Sequence, residues 1–499
     1  RAYAAGMTGP KSPLLALEHA VAFDRIHAHD VQPSIAALLQ RAREALAAVK
    51  AVTGPRTYAN TILALEQATE ELGVAMGVVG HLESVATTPE LRAAYNAVQP
   101  DVSAFFSGIA LDAGLYAAVK DYAATAEAKA LTGPRRRFVD KTLADFRRHG
   151  AELDGAGKAR LEAIDVELTE LTVRFSQNVL DSSAAFELVV PDASRLGGLP
   201  ESALAAARES AQAKGKAGYR FTLQAPSYLA VMTYADDAEL RREVWRAYNT
   251  RATRGEHDNR GLLARILELR QEKARLLGFA HFADLVLEDR MAKTGATARA
   301  FIQRLREKTA PFFHRENEEL TAFRRSLEGP AAPAPEPWDI AYYAEKQRKA
   351  LYDFDEEALR PYFAADAVLE GLFRIAHTLY GVRIEPWDGV PVWHPTVRPF
   401  RVLDGSGAHL ASFYVDIYPR ETKRDGAWMD GLVTGVDSAE RRLQHLEVLA
   451  ANVTPPLTGK PALLTHREVE TLFHEFGHLM HHALSQVEVR SLAGCNVAW

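Results

Sequence analysis

Apolar residues recur at three- and four-residue spacing through most of the chain, which predicts helices. "VQPSIAALLQRAREALAAVKAV" (32–53) has a proline in its first turn and an apolar stripe behind it. Similar periodicity marks 60–87, 102–127, 136–180, 200–214, 237–252, 260–278 and 296–327. Residues 155–181 read as one long amphipathic helix. Strand patterns are few: 184–190, 219–223, a hairpin over 397–418 turning at Gly405-Ser406-Gly407, and a third strand near 446–453. "EGPAAPAPEPWD" (328–339) is too rich in Pro and Ala for regular structure and reads as a linker. It suggests a domain boundary, with a weaker one near 150. No fixed-period repeat or heptad array is present. Helical walls, a small mixed sheet and a late histidine-bearing helix suggest an α-rich enzyme with a cleft.

That late helix carries the chemistry. Thr465 and Glu468 have capping-box spacing before an apolar run. Val469, Leu472, Phe473, Phe476, Leu479, Met480, Ala483, Leu484 and Val487 then fall on one face. His474 and His478 lie on the other face, one turn apart, where both imidazoles reach one ion. Glu475 is offset from both, placed to meet a water rather than the metal. This is the H-E-x-x-H arrangement of zinc peptidases. Neutral imidazoles suit zinc and leave it a Lewis acid that activates water, whose proton Glu475 takes and passes to the departing amine. Glu470, one turn before His474, is either an outer carboxylate that orients that imidazole or, the reading favoured, a plain surface glutamate. Gly477 costs about 1 kcal/mol in a helix, which reads either as a neighbour packed close to the backbone or as a tolerated defect. His474, His478 and His482 cannot converge on one ion, because the outer two differ by about 12 Å along the axis. His481 and His482 are therefore expected around the site or facing solvent.

A catalytic zinc needs a third protein ligand. The metzincin spacing requires Gly at 481 and His at 484, where this chain has His481 and Leu484. Glu488, the only acid after His478, would lie about 15 Å along the axis and is a poor ligand. The third ligand is therefore upstream or beyond Trp499. The chain does not begin with Met and stops in "SLAGCNVAW", so the expectation is a fragment that lacks its C-terminal part.

Composition narrows the class without changing this picture. Of 499 residues, 47% are hydrophobic and 25% charged, ordinary for a globular protein long enough for two or three domains. A net charge of −6 provides no global field for nucleic acid or an acidic membrane. Arg135-Arg136-Arg137 reads as a solvated helix face. A single cysteine, Cys495, rules out an internal disulfide and suits a reducing compartment. No stretch has the apolar length of a membrane span, and "RAYAAGMTGPKSPLL" lacks a signal core. Cytoplasm is the expected location. "DGAGK" (154–158) lacks P-loop spacing, G-x-S-x-G is absent, and Cys495 has no assigned base.

Several blocks together resemble the thimet oligopeptidase family of zinc metallopeptidases, which includes neurolysin, oligopeptidase A and dipeptidyl carboxypeptidase. They are "NVTPPLTGKPALLTHREVETLFHEFGHLMHHALSQVEV" (452–489), "SFYVDIYPRETKRDGAWM" (412–429), 338–363, "LEDRMAKTG" (287–295), 226–252 and 136–181. The likeness runs in order along nearly the whole chain. It implies a mostly α, two-lobed peptidase whose deep channel admits short unstructured peptides, with a small mixed β-sheet beside the histidine helix. It implies His474 and His478 as zinc ligands and Glu475 as general base. A third ligand glutamate is implied a few residues past Trp499, and a histidine and tyrosine that assist the intermediate further downstream. The expected divisions are 1–150, an N-terminal helical domain; 151–335, a helical channel wall; and 336–499, an incomplete catalytic domain. One Zn2+ per complete chain and a monomer are expected, with the 499-residue piece alone nearly inactive. Within the family the motif region looks closer to the oligopeptidases than to dipeptidyl carboxypeptidase. A non-catalytic helical peptide-binding protein is the alternative outside it. Residues 409–418 are expected either to pair with substrate as an edge strand or to lie buried as a structural strand.

Overall fold

The computed structural model describes residues 12–438 and 441–497; most of the segment read for a leader, and Trp499, lie outside them. The protein is mostly helical, and the helices fall where apolar periodicity is strongest. Those that position the site are α1 (Ala28–Lys50), α2 (Glu70–Ala86), α3 (Pro89–Leu111), α4 (Gly155–Ala184), α5 (Arg260–Leu276), α6 (Gly295–Glu328), α7 (Ala365–Tyr380) and α8 (His466–Ala483).

Helix ends depart from periodicity where a side chain competes for the backbone. The single helix expected over 102–127 breaks at Asp112, whose carboxylate accepts from the N–H groups of Gly114 and Leu115 at 2.8 and 3.0 Å and starts a new helix. Asp154 caps α4 in the same way. The Pro-rich segment after α6 is irregular, as expected, but anchored. Arg325 donates to the Ala332 carbonyl, and buried Asp339 accepts from Arg241 and Arg324. Among the described residues no single helix is long and apolar enough to cross a membrane.

Strands β1 (Leu188–Val190) and β2 (Tyr219–Phe221) form a small antiparallel pair. The main sheet has β3 (Arg383–Pro386), β4 (Arg398–Leu403), β5 (His409–Asp416), β6 (Trp428–Val433) and β7 (His445–Ala450), in the order β3-β4-β5-β7-β6. The β4–β5 hairpin is antiparallel, with an irregularity between Val402 and Leu403; β5 and β7 run parallel.

Both faces of the sheet are covered. Ala411, Phe413, Val415 and Leu449 pack with Leu369 and Leu372 of α7 and with Leu472, Phe476, Leu479 and Met480 of α8. The alternate positions Tyr414, Leu446, Val448 and Ala450 pack with α1 to α3 through residues such as Leu38 and Val78. Burying each large apolar side chain contributes roughly 1.5–3 kcal/mol. Of the two expectations for 409–418, the buried strand is the one observed. β5 has hydrogen-bonded neighbours on both sides, and the exposed edges are β3 and β6.

Candidate metal centre

The histidine helix α8 begins as its sequence dictates. Thr465 Oγ1 accepts from the Glu468 N–H at 3.1 Å, and Glu468 Oε2 accepts from the Thr465 N–H at 2.7 Å. Glu468 also reaches outside the helix. Its Oε1 accepts from the backbone N–H and the hydroxyl of Thr454, at 2.7 and 2.9 Å. The buried face is Leu472, Phe476, Leu479, Met480 and Ala483. Phe473, expected with them, is exposed, and Val487 lies beyond the helix, which ends at Ala483.

On the open side, the His474 and His478 rings lie with centroids 4.9 Å apart and planes at 84°. His474 is exposed; His478 and Glu475 are half-buried. Among the described residues, neither imidazole commits a ring nitrogen to a protein hydrogen bond, and Glu475 has no ion-pair partner. Two uncommitted nitrogen donors on one helical face fit a divalent metal of zinc type. Glu470 lies 3.8 Å from His466, and no hydrogen bond joins it to His474 among the described residues. Glu488 accepts from Arg135 at 2.9 Å. No described neighbour explains Gly477: a Cβ there would meet nothing within 4 Å. Of the two expectations for that glycine, close packing is not seen among the described residues, since it lies on the open face beside the histidines.

A second group of ligand-type residues lies behind the helix. His445, Glu447 and His482 are all buried, with one ligand atom of each within 4.8 Å of the others. His482, expected around the site or facing solvent, instead points into the protein. Its Nδ1 is 2.6 Å from Glu447 Oε1. Burial raises the Glu447 carboxyl well above the usual carboxylate range and lowers His482 to about 4. His445 has both nitrogens engaged. Nδ1 accepts from the Gly435 N–H at 3.0 Å, which leaves the proton on Nε2, 3.1 Å from the Ser485 carbonyl. That imidazole has no lone pair for a metal, so the group is a hydrogen-bonded cluster rather than a cation cage.

Sequence reasoning missed Glu447. Its signal was a lone acid in "HLEVLAAN", an otherwise apolar strand run where a buried polar group needs a partner. Period two puts His445, Glu447 and Leu449 on the side facing α8.

The sequence is similar to known peptidases along its length. The family described as Peptidase family M3 matches residues 231–499, and the neurolysin/thimet oligopeptidase N-terminal domain matches residues 35–158. "Oligopeptidase A" of Escherichia coli (strain K12) is 39% identical over 495 residues, which covers 98% of this chain and 72% of that protein. "Probable cytosolic oligopeptidase A" of Arabidopsis thaliana is 37% identical over 492 residues, 96% of this chain and 70% of that one. "Dipeptidyl carboxypeptidase" of Escherichia coli (strain K12) is 32% identical over 478 residues, 95% of this chain and 70% of that one.

Proposed function

The chain belongs to peptidase family M3 and is a metal-dependent oligopeptidase; from that premise we propose that the metal is a single zinc held by His474 and His478, with Glu475 as general base. The observation that carries this reading is the pair of uncommitted imidazoles one turn apart on the open face of a helix secured by a capping box. When bound, zinc supplies Lewis acidity toward water and toward the peptide carbonyl. Glu475, between the two histidines in sequence and offset from them around the helix, accepts the proton of the attacking water and delivers it to the leaving amine.

The third ligand is proposed to be a glutamate C-terminal to Trp499. Glu488 accepts from Arg135, and the relatives are longer than this chain. On this reading residues 1–499 alone hold zinc weakly and hydrolyse peptides near background. The substrates are proposed to be short, unstructured peptides admitted by a channel between helical lobes, and the protein a cytoplasmic monomer. β6, the exposed edge on the α8 side of the sheet, is the strand placed to pair with a substrate backbone.

Endopeptidase cleavage is favoured over dipeptidyl release, because identity to oligopeptidase A exceeds identity to dipeptidyl carboxypeptidase. The test uses the full-length protein and a peptide with an amidated C-terminus. Internal cleavage is expected; strict release of C-terminal dipeptides from free-acid peptides alone would overturn the endopeptidase reading. Full hydrolysis by a Glu475→Gln variant that retains zinc would remove the role assigned to that carboxylate.

A further inference from the structure

We propose that His482 is a positioning residue for the metal-bearing helix: its hydrogen bond to Glu447 sets where along the sheet, and at what rotation, α8 presents His474 and His478. The proposal rests on the reading that those two imidazoles hold the metal.

The geometry is a two-point attachment. At one end, Glu468 holds Thr454, just past β7. At the other, His482 holds Glu447 within β7. Glu468 to His482 is fourteen residues, about 21 Å of helix. Glu447 lies three residues before the end of β7 at Ala450, and Thr454 four residues after it. The early helix residue meets the later chain residue and the late one the earlier, so α8 runs antiparallel to the strand and is held near both ends. Leu449, Leu472, Phe476 and Leu479 fill the space between the attachments.

Apolar contacts alone tolerate small rotations, whereas metal ligation does not. A helix with its side chains has a radius of about 5–6 Å, so a 20° turn moves a ring nitrogen by about 2 Å. Ligand distances are held within about 0.2 Å. His482 is one turn beyond His478, and its ring is fixed in place. A Cβ on Gly494, at φ +60°, would stand 2.1 Å from His482 Cδ2, and one on Gly431 would stand 3.1 Å from Cε1. Only glycines let the chain close around the imidazole this tightly.

The bond suits a dry interior. With Glu447 neutral and His482 neutral, the carboxyl O–H donates to Nδ1, and Nε2–H donates to Thr434 Oγ1 at 3.2 Å. No charge is stranded. Glu447 Oε2 has no partner among the described residues, which costs less for a neutral acid than for a carboxylate. His445, packed edge-on with ring centroids 4.5 Å apart, closes the far side and is itself fixed by Gly435 and Ser485.

The experiment uses the full-length protein. Zinc affinity is measured by chelator competition, kcat and KM with a peptide, metal content per chain, and folding by circular dichroism and melting. His482→Leu and Glu447→Leu are expected to weaken zinc at least about tenfold and to lower kcat, with KM within about twofold of wild type. Glu447→Gln, whose amide N–H still donates to Nδ1, is expected to restore both to within about threefold. Metal content stays at one per chain. Wild-type zinc affinity in His482→Leu, or equal damage from Glu447→Gln and Glu447→Leu, overturns the proposal. Two metals per chain, one lost with Glu447, also overturns it. If His482→Leu does not fold, the Glu447 pair and Thr434→Val carry the same comparison. His474→Ala separates the two readings. Zinc retained there removes the metal assignment and the proposal with it. Zinc lost there while His482→Leu is unaffected removes only the positioning role.

Discussion

The backbone N–H of Thr454 donates to Glu468 Oε1 at 2.7 Å, tying the first turn of the metal-bearing helix to the chain that leaves the central sheet. The same carboxylate closes the capping box on Thr465. One side chain therefore starts the helix and fixes its distance from the strand beneath.

Removing that carboxylate is expected to cost more than removing the cap it completes. Thr465→Ala should destabilise by about 1 kcal/mol, the usual loss for an N-cap. Glu468→Ala leaves the N–H groups of Thr454 and Thr465 without acceptors and should cost about 1–3 kcal/mol. Urea unfolding of the two variants checks the order; equal losses would mean the Thr454 link contributes nothing.

Gly477→Ala is expected to stabilise the protein by about 0.5–1 kcal/mol, because alanine is the better helix former and no described atom lies within 4 Å of the added Cβ. Chemical denaturation reads this directly. Destabilisation would reveal a close neighbour at the glycine outside the described residues.

Glu475→Gln in the full-length protein should lower kcat by about 10²–10⁴, the usual contribution of a general base, while bound zinc stays at one per chain. Metal analysis beside steady-state kinetics separates this from loss of the ion. Chelator treatment of the wild type should abolish hydrolysis, and added zinc should restore it.

Stability should fall as pH drops from about 6.5 to about 4. Burial lowers His81 to about 3, and His445 and His482 to about 4, from an ordinary value of 6.5. In that window the unfolded chain binds protons that the folded one refuses, so acid favours unfolding. Their contribution is fully present above 6.5 and gone below the folded values. Asp416 adds a second acid loss at lower pH. Arg420 and Lys423 hold its carboxylate below the usual value against the effect of burial, so its contribution disappears as pH falls through that lowered pKa. Urea titrations at stepped pH test both; a flat profile from 7 to 5 would mean these imidazoles take up protons in the fold as readily as in the unfolded chain.

The amino-acid order alone determined the features built from near neighbours. Thr465 and Glu468 are three residues apart, and His474 and His478 four, so helical geometry fixes their relations before any tertiary contact forms. The β4–β5 hairpin is legible for the same reason, since its strands are joined by a short glycine-containing turn. Tertiary structure decided what depends on distant partners. Lys50, 62 residues away in the chain, donates to the Asp112 carboxylate at 2.6 Å, a contact no local pattern announces. β5 became an interior strand only because β7 pairs alongside it in parallel. Glu447 and His482 stand 35 residues apart, and periodicity describes which face each occupies but not which surface that face will meet. The metal-binding pair could be read in the sequence because one helix carries both members. What holds that helix against the sheet could not, because it joins two elements whose contact exists only after the chain has folded.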